Sequence, residues 1–177
     1  MRLFVILLLI TQTLFSQKFY TRTGTTGFKA SVDAFEPVQA LNKSTTAILT
    51  NDGEIASQLF ISAFKFRLAL MQEHFNESFM ESNEFPKAVF RGKIEDFNAT
   101  SLKGSKEVNI KGKITIKGVS KEIETKGTIT KVNDKINLVT NFDLLPSDFN
   151  IKIPSVVRRK IARTVTVNLN YELSEKK

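Results

Sequence analysis

The sequence predicts an all-β protein of about eight or nine hairpin-connected antiparallel strands, interrupted by one amphipathic helix. Three stretches carry that prediction. From Val108 to Ile116, apolar residues or glycine (Val108, Ile110, Gly112, Ile114, Ile116) alternate strictly with polar ones, a period of two that marks a strand with one dry face. The alternation resumes after Gly118-Val119 on Ile123, Thr125, Gly127 and Ile129, giving a long hairpin. A closing strand, Val165 to Leu173, alternates as cleanly. By contrast Leu68, Met71, Phe75 and Phe79 recur at spacings of three and four within Arg67 to Phe79, the stripe of an amphipathic helix.

The elements follow in order. Lys18 to Thr23 reads as a short strand, Gly24 to Gly27 as a turn, and Phe28 to Asp33 as a second strand. Phe35 to Leu41, with Pro37, has no clear period and reads as a connection. Lys43 to Thr50 and Glu54 to Ser62 form a hairpin about the turn residues Asn51-Asp52-Gly53. Phe85-Pro86 stops the helix, because proline disfavours a helical residue before it. Ala88, Phe90, Gly92 and Ile94 then alternate, with Phe97 off the pattern and a bulge expected near Asp96.

After the polar loop Asn98 to Ser105 comes the long hairpin. A glycine-first turn at Gly118-Val119 suits type II′ and would set Ile114 beside Ile123 and Lys113 opposite Glu124. Ile136 to Leu144 is a further strand, Pro146 to Asp148 a loop, and Pro154 to Ile161 a single helical turn. Such a set of strands closes as a barrel or packs as a two-layer sandwich. The long final strand favours the barrel, because pairing it with the first removes the exposed edge.

The 177 residues suit one domain, and no repeat or linker divides them. Met1-Arg2, the apolar run Leu3 to Ile10 and a polar exit before Gln17 read as a secretory signal peptide. The protein is thus expected in the periplasm as residues 17–177. The formal net charge of +8 falls to +7 without Arg2, and the cations are spread over outward strand faces. There is no cysteine, which excludes disulfides, thiolate catalysis and Cys-ligated zinc. Fifteen Phe against two Tyr and no Trp make the interior greasy, with few polar handles.

His74 is the single histidine, between Glu73 and Glu77. One imidazole makes a poor metal site and no nucleophile motif accompanies it, so a hydrolase using His74 is the weakest of the alternatives. No glycine-rich phosphate loop is present, and no basic stretch interleaved with exposed aromatics supports nucleic-acid binding. The dry face is the informative feature. It carries the candidate ligand-binding residues Phe28, Ala30, Phe90, Gly92, Ile94, Ile110, Gly112, Ile114, Thr125, Gly127, Phe142 and Val167. Its small members admit two readings. Either the glycines let strands coil around a filled core, leaving a module that acts through its surface, or they thin the wall around a lumen that holds a ligand.

Three stretches resemble the YceI-like family of exported lipocalin-like barrels: Phe64 to Ile94, Val108 to Ile123 and Phe142 to Pro154. The family's "FP.A.F.G" strand is met by Phe85, Pro86, Ala88, Phe90 and Gly92, and its "G.LTI.GV.K" hairpin by Gly112, Ile114, Thr115, Ile116, Gly118, Val119 and Lys121. Where many members carry a paired-phenylalanine–aspartate motif after the helix histidine, Phe75-Asn76-Glu77 stands here. The resemblance implies an eight-stranded antiparallel lipocalin-like barrel whose lumen takes a long isoprenoid, a quinone or another amphiphilic lipid, with no chemical step and no metal. The helix and the Phe35 to Leu41 connection are then candidate lids. Peripheral contact with an anionic membrane and a homodimer are the remaining partners expected.

Overall fold

A computed structural model describes residues 17–32 and 35–176, so the expected signal peptide lies outside the described residues. The strands are β1 (Lys18–Ser31), β2 (Gln39–Thr50), β3 (Glu54–Phe60), β4 (Lys65–Phe66), β5 (Lys87–Ile94), β6 (Gly104–Ile116), β7 (Val119–Val132), β8 (Lys135–Leu144) and β9 (Ile161–Glu175). Eight of them form one ring in the order β1-β9-β8-β7-β6-β5-β3-β2, closed by β1–β2 pairing, while two-residue β4 adds only to the rim of β2. Every neighbour is antiparallel. The expected pairing of first and last strands is present from Phe19↔Glu175 to Ser31↔Ile161. The fold is therefore a closed eight-stranded antiparallel barrel, which leaves no long edge to aggregate.

Antiparallel order divides the connections between two ends. One end carries the β2–β3 turn, the β5–β6 loop, the β7–β8 turn and both ends of the described chain. There Phe97, Ala99 and Leu102 of the β5–β6 loop are buried against Phe19, Leu49, Ile94, Ile129, Ile136 and Leu173. This plug explains why Phe97 breaks the alternation: the chain has left the sheet and turned across the barrel. The bulge expected near Asp96 is instead a tight turn, with Asp96 at φ 49°. Each large apolar side chain packed in this plug contributes about 1.5–3 kcal/mol.

The other end carries the β1–β2 connection, the helix, the β6–β7 turn and the long β8–β9 connection. The helix is shorter than the sequence implies. Helix α1 spans Ala69–His74 and widens into a π-turn over Phe75–Phe79, closed by Met80 N–H donating to the Phe75 carbonyl at 2.9 Å. Expected strand ends at Gly24 to Gly27 are also corrected. β1 runs straight through, absorbing two register shifts against β2 around Gly24, where a Cβ would lie 2.7 Å from the Tyr171 ring. Pro154 to Lys160 forms hydrogen-bonded turns and no helix.

The β6–β7 register is two residues from the expected one. Ile114 pairs with Lys121, and Lys113 with Glu122. The turn residues are Lys117 (φ 48°) and Gly118 (φ 74°), both left-handed as a type I′ turn demands. A lysine in that region is uncommon and is not what the residue types suggest. The shift is even, so faces are conserved. The outer face carries Lys111–Glu95 at 3.0 Å, Lys111–Glu124 at 3.3 Å and Lys113–Glu122 at 3.5 Å, exposed pairs that add little stability.

Candidate functional site

Inward-facing residues change systematically along the barrel. On β9, Leu173 and Tyr171 are buried, whereas Leu169, Val167 and Val165 are half-buried although they share the same face. On β8, Ile136, Leu138 and Thr140 are buried, then Phe142 and Leu144 are half-buried. On β5 the order runs from buried Ile94 to half-buried Phe90 and Ala88. Side chains that point into a barrel yet keep accessible surface border a void. That void is a cavity of about 500 Å³ above the plug, within the usual range for small-molecule sites.

Its wall is almost wholly aliphatic and aromatic. Phe28, Ala30, Phe90, Ile110, Ile114, Thr125, Phe142 and Val167 of the expected residues line it. The other four do not, and each for a physical reason. Ile94 is completely buried in the plug. Gly92 and Gly112 face each other across β5–β6, and a Cβ on either would come within 2.8 Å of Phe90 Cζ. At Gly127 a Cβ would meet Val139 O at 3.0 Å and Ile110 Cδ1 at 3.1 Å. These glycines therefore do not leave room for a guest. They permit strands to approach, and at the Gly92–Gly112 pair the Phe90 ring covers the gap, as aromatics do over strand glycines.

The cavity floor holds a cluster of hydroxyl groups. Thr26 Oγ1 lies 2.8 Å from Thr45 Oγ1 and 3.3 Å from the Tyr171 hydroxyl. Burial raises the Tyr171 phenol above its ordinary 10.0, opposed by hydrogen bonds to Thr26 and Ser57. The native state thus holds this proton more tightly than the unfolded chain. Its stabilising effect is complete below pH 10 and is lost as pH rises from there towards the folded value. Denaturant midpoints measured from pH 9 upward should fall faster in the wild type than in Tyr171→Phe, with the divergence starting near the free phenol value of about 10.

The helix roofs the mouth. Phe75 stacks on Phe28 at 5.4 Å between centroids and meets Phe66 at 5.0 Å and Phe64 at 5.7 Å. Each such ring pair adds about 0.5–1.5 kcal/mol beyond area burial. Arg67 pairs with Glu36 across to the β1–β2 connection. At the far end, Lys117 Nζ donates to Glu81 at 2.7 Å and to the Phe79 carbonyl at 3.2 Å, tying the π-turn to the β6–β7 turn. Asn76, in the same turn, buries its Oδ1 with no hydrogen-bond partner among the described residues. His74 lines the mouth, and among the described residues it makes no hydrogen bond to a carboxylate or hydroxyl, nor do three His, Cys, Asp or Glu side chains gather to hold a metal.

The candidate residues named from sequence alone omit most of the roof and part of the wall. Val165, Leu169 and Tyr171 share the parity of Val167, and Phe75 and Phe79 share the helical stripe, so both signals were available. Phe149, Ile151, Ile153 and Val157 line the mouth from an irregular connection, where no period points inward.

Residues 14–173 match the YceI-like domain family. No curated protein matches the chain. Solved structures with the same fold include a polyisoprenoid binding domain from Saccharophagus degradans implicated in plant cell wall breakdown, at a TM-score of 0.78 and 11% identity over 91% of this chain and 99% of that one. BcnA of Burkholderia cenocepacia aligns at a TM-score of 0.70 and 15% identity, covering 85% and 96% of the two chains. The YceI protein of Campylobacter jejuni aligns at 0.61 and 19%, covering 81% and 87%.

Proposed function

The chain belongs to the YceI-like family, and on that premise we propose that it binds a long-chain isoprenoid or other amphiphilic lipid in its barrel cavity. It acts as a periplasmic carrier with no chemical step. The observation that carries this reading is the accessible surface retained by inward-facing Val165, Val167, Leu169, Phe142 and Ala88 around an apolar void. The binding named for the Saccharophagus degradans neighbour is consistent with it. Export rests on the N-terminal pattern of Met1 to Ser16.

The energetics need no polar anchor. Ten methylenes moved from water into such a wall gain ~8 kcal/mol. Ordering the chain takes back part of that, leaving ten methylenes with an affinity weaker than about 1 μM and longer tails with a tighter one. The polar end of an amphiphile then sits at the mouth, where His74 and Lys160 supply donors. The filled-core alternative lacks a supporting observation, since a packed interior would bury the upper wall as fully as the plug. A catalytic role for His74 has no observation in its favour either.

The test is titration of the purified protein with a fluorescent polyene, followed by displacement with a polyprenol. Saturable binding at one site per barrel, competed by the polyprenol, is expected. Fluorescence that rises without saturating would overturn the reading.

A further inference from the structure

The β8–β9 connection has two dissimilar sides. Ile151, Ile153 and Val157 turn into the cavity mouth, while Val156 is 84% exposed at the tip of the turns that follow Pro154. Around it Lys152, Arg158, Arg159, Lys160 and Arg163 are all exposed, and no acidic residue occurs between Asp148 and Glu172. Among the described residues none of these five cations forms an ion pair. Acids at this end include Asp148 at the start of the same connection, Glu36 paired with Arg67 on the β1–β2 connection, and Glu73, Glu77, Glu81 and Glu84 on the β3–β5 connection, which springs from the opposite side of the ring. Exposed Leu145 and Leu70 continue the apolar rim beside the opening.

A projecting aliphatic tip set in unpaired cations is the surface chemistry of a segment that rests on anionic headgroups, each basic residue near such a surface adding attraction. We propose that the β8–β9 connection docks the barrel mouth on an anionic phospholipid bilayer, with Val156 in the interfacial layer and Lys152, Arg158, Arg159, Lys160 and Arg163 against lipid phosphates. Docking in this orientation opens the cavity towards the membrane and leaves both ends of the described chain, Gln17 and Lys176, pointing away from it. The surface stands on its own observations, independent of what the cavity holds.

Flotation with vesicles of phosphatidylcholine, with and without phosphatidylglycerol and containing no isoprenoid, tests it. The wild type is expected to float with the phosphatidylglycerol vesicles and to be released by salt. Lys152→Glu/Arg158→Glu/Arg159→Glu, which spares the cavity-lining Lys160, should weaken binding about tenfold or more. Val156→Asp should weaken it several-fold. Lys18→Glu/Lys103→Glu/Lys176→Glu, an equal change of charge at the plugged end, should leave it near wild type. Equal loss in the two triple variants, wild-type binding by the lip triple or by Val156→Asp, or no preference for phosphatidylglycerol would each overturn the proposal. Probe titration of the same variants separates this from cavity binding, because a barrel that no longer docks should still take up the polyene.

Discussion

Ala88→Trp combined with Val167→Trp is expected to abolish uptake of an apolar probe while the barrel stays folded. Both side chains face inward and both are half-buried, Ala88 on β5 and Val167 between Phe28 and Phe142 on β9. Enlarging a packed core costs about 1–3 kcal/mol per site because neighbours must leave their rotamers. Enlarging a wall that borders a void instead buries the new surface, at about 25 cal/mol per Å². The thermal midpoint should therefore stay within a few degrees of the wild type. Probe affinity should fall at least thirtyfold, about 2 kcal/mol. A variant that unfolds would show the upper barrel to be filled, and one that still binds would place the ligand elsewhere.

The opposite outcome is expected at the glycine pair. Gly92→Ala adds one methyl group, yet its Cβ would fall inside the contact distance of the Lys111 carbonyl oxygen, 2.8 Å from Gly112 Cα and 2.7 Å from Phe90 Cζ. Gly112→Ala brings Cβ to 2.5 Å from Gly92 Cα. Two of the three obstacles at Gly92 are backbone atoms in a paired ladder, so relief requires β5 and β6 to separate. A cost above 4 kcal/mol is expected, a large share of the 5–15 kcal/mol that holds a domain together. At about 2–4 °C per kcal/mol for a chain of this size, the midpoint should drop by ~10 °C or more. A Gly92→Ala protein that melts with the wild type would contradict the close strand approach.

These two expectations mark where sequence legibility ends. Period two assigns the inward residues of β5, β6, β7, β8 and β9 to the correct face, and the helical stripe places Phe75 and Phe79, whereas Thr26 is hidden in an expected turn and Ile55, Ser57 and Leu59 are given no face. Parity says nothing about depth along the barrel axis. Ile94 and Ala88 read alike in the sequence, yet one belongs to the plug and the other to the cavity wall. Small residues misled for a related reason. Gly92 and Gly112 look like gaps in the wall, but a glycine's missing side chain is refilled by whatever the backbone then allows to approach, here the opposite strand and Phe90. The hairpin register slipped by two because Lys117 accepts a left-handed conformation that its side chain does not advertise. The lip cations Lys152, Arg158, Arg159, Lys160 and Arg163 are close together in the sequence, but their place at the barrel mouth follows only from the antiparallel order of β8 and β9.

Ligand uptake rests on the upper barrel being hollow and apolar. Native mass spectrometry of protein purified from its own host without detergent tests that most directly. A bound lipid mass that survives gentle ionisation, is lost at higher collision energy and is missing from the Ala88→Trp/Val167→Trp protein is the expected result. Bare protein in repeated preparations, or a lipid carried equally by the filled variant, would contradict it.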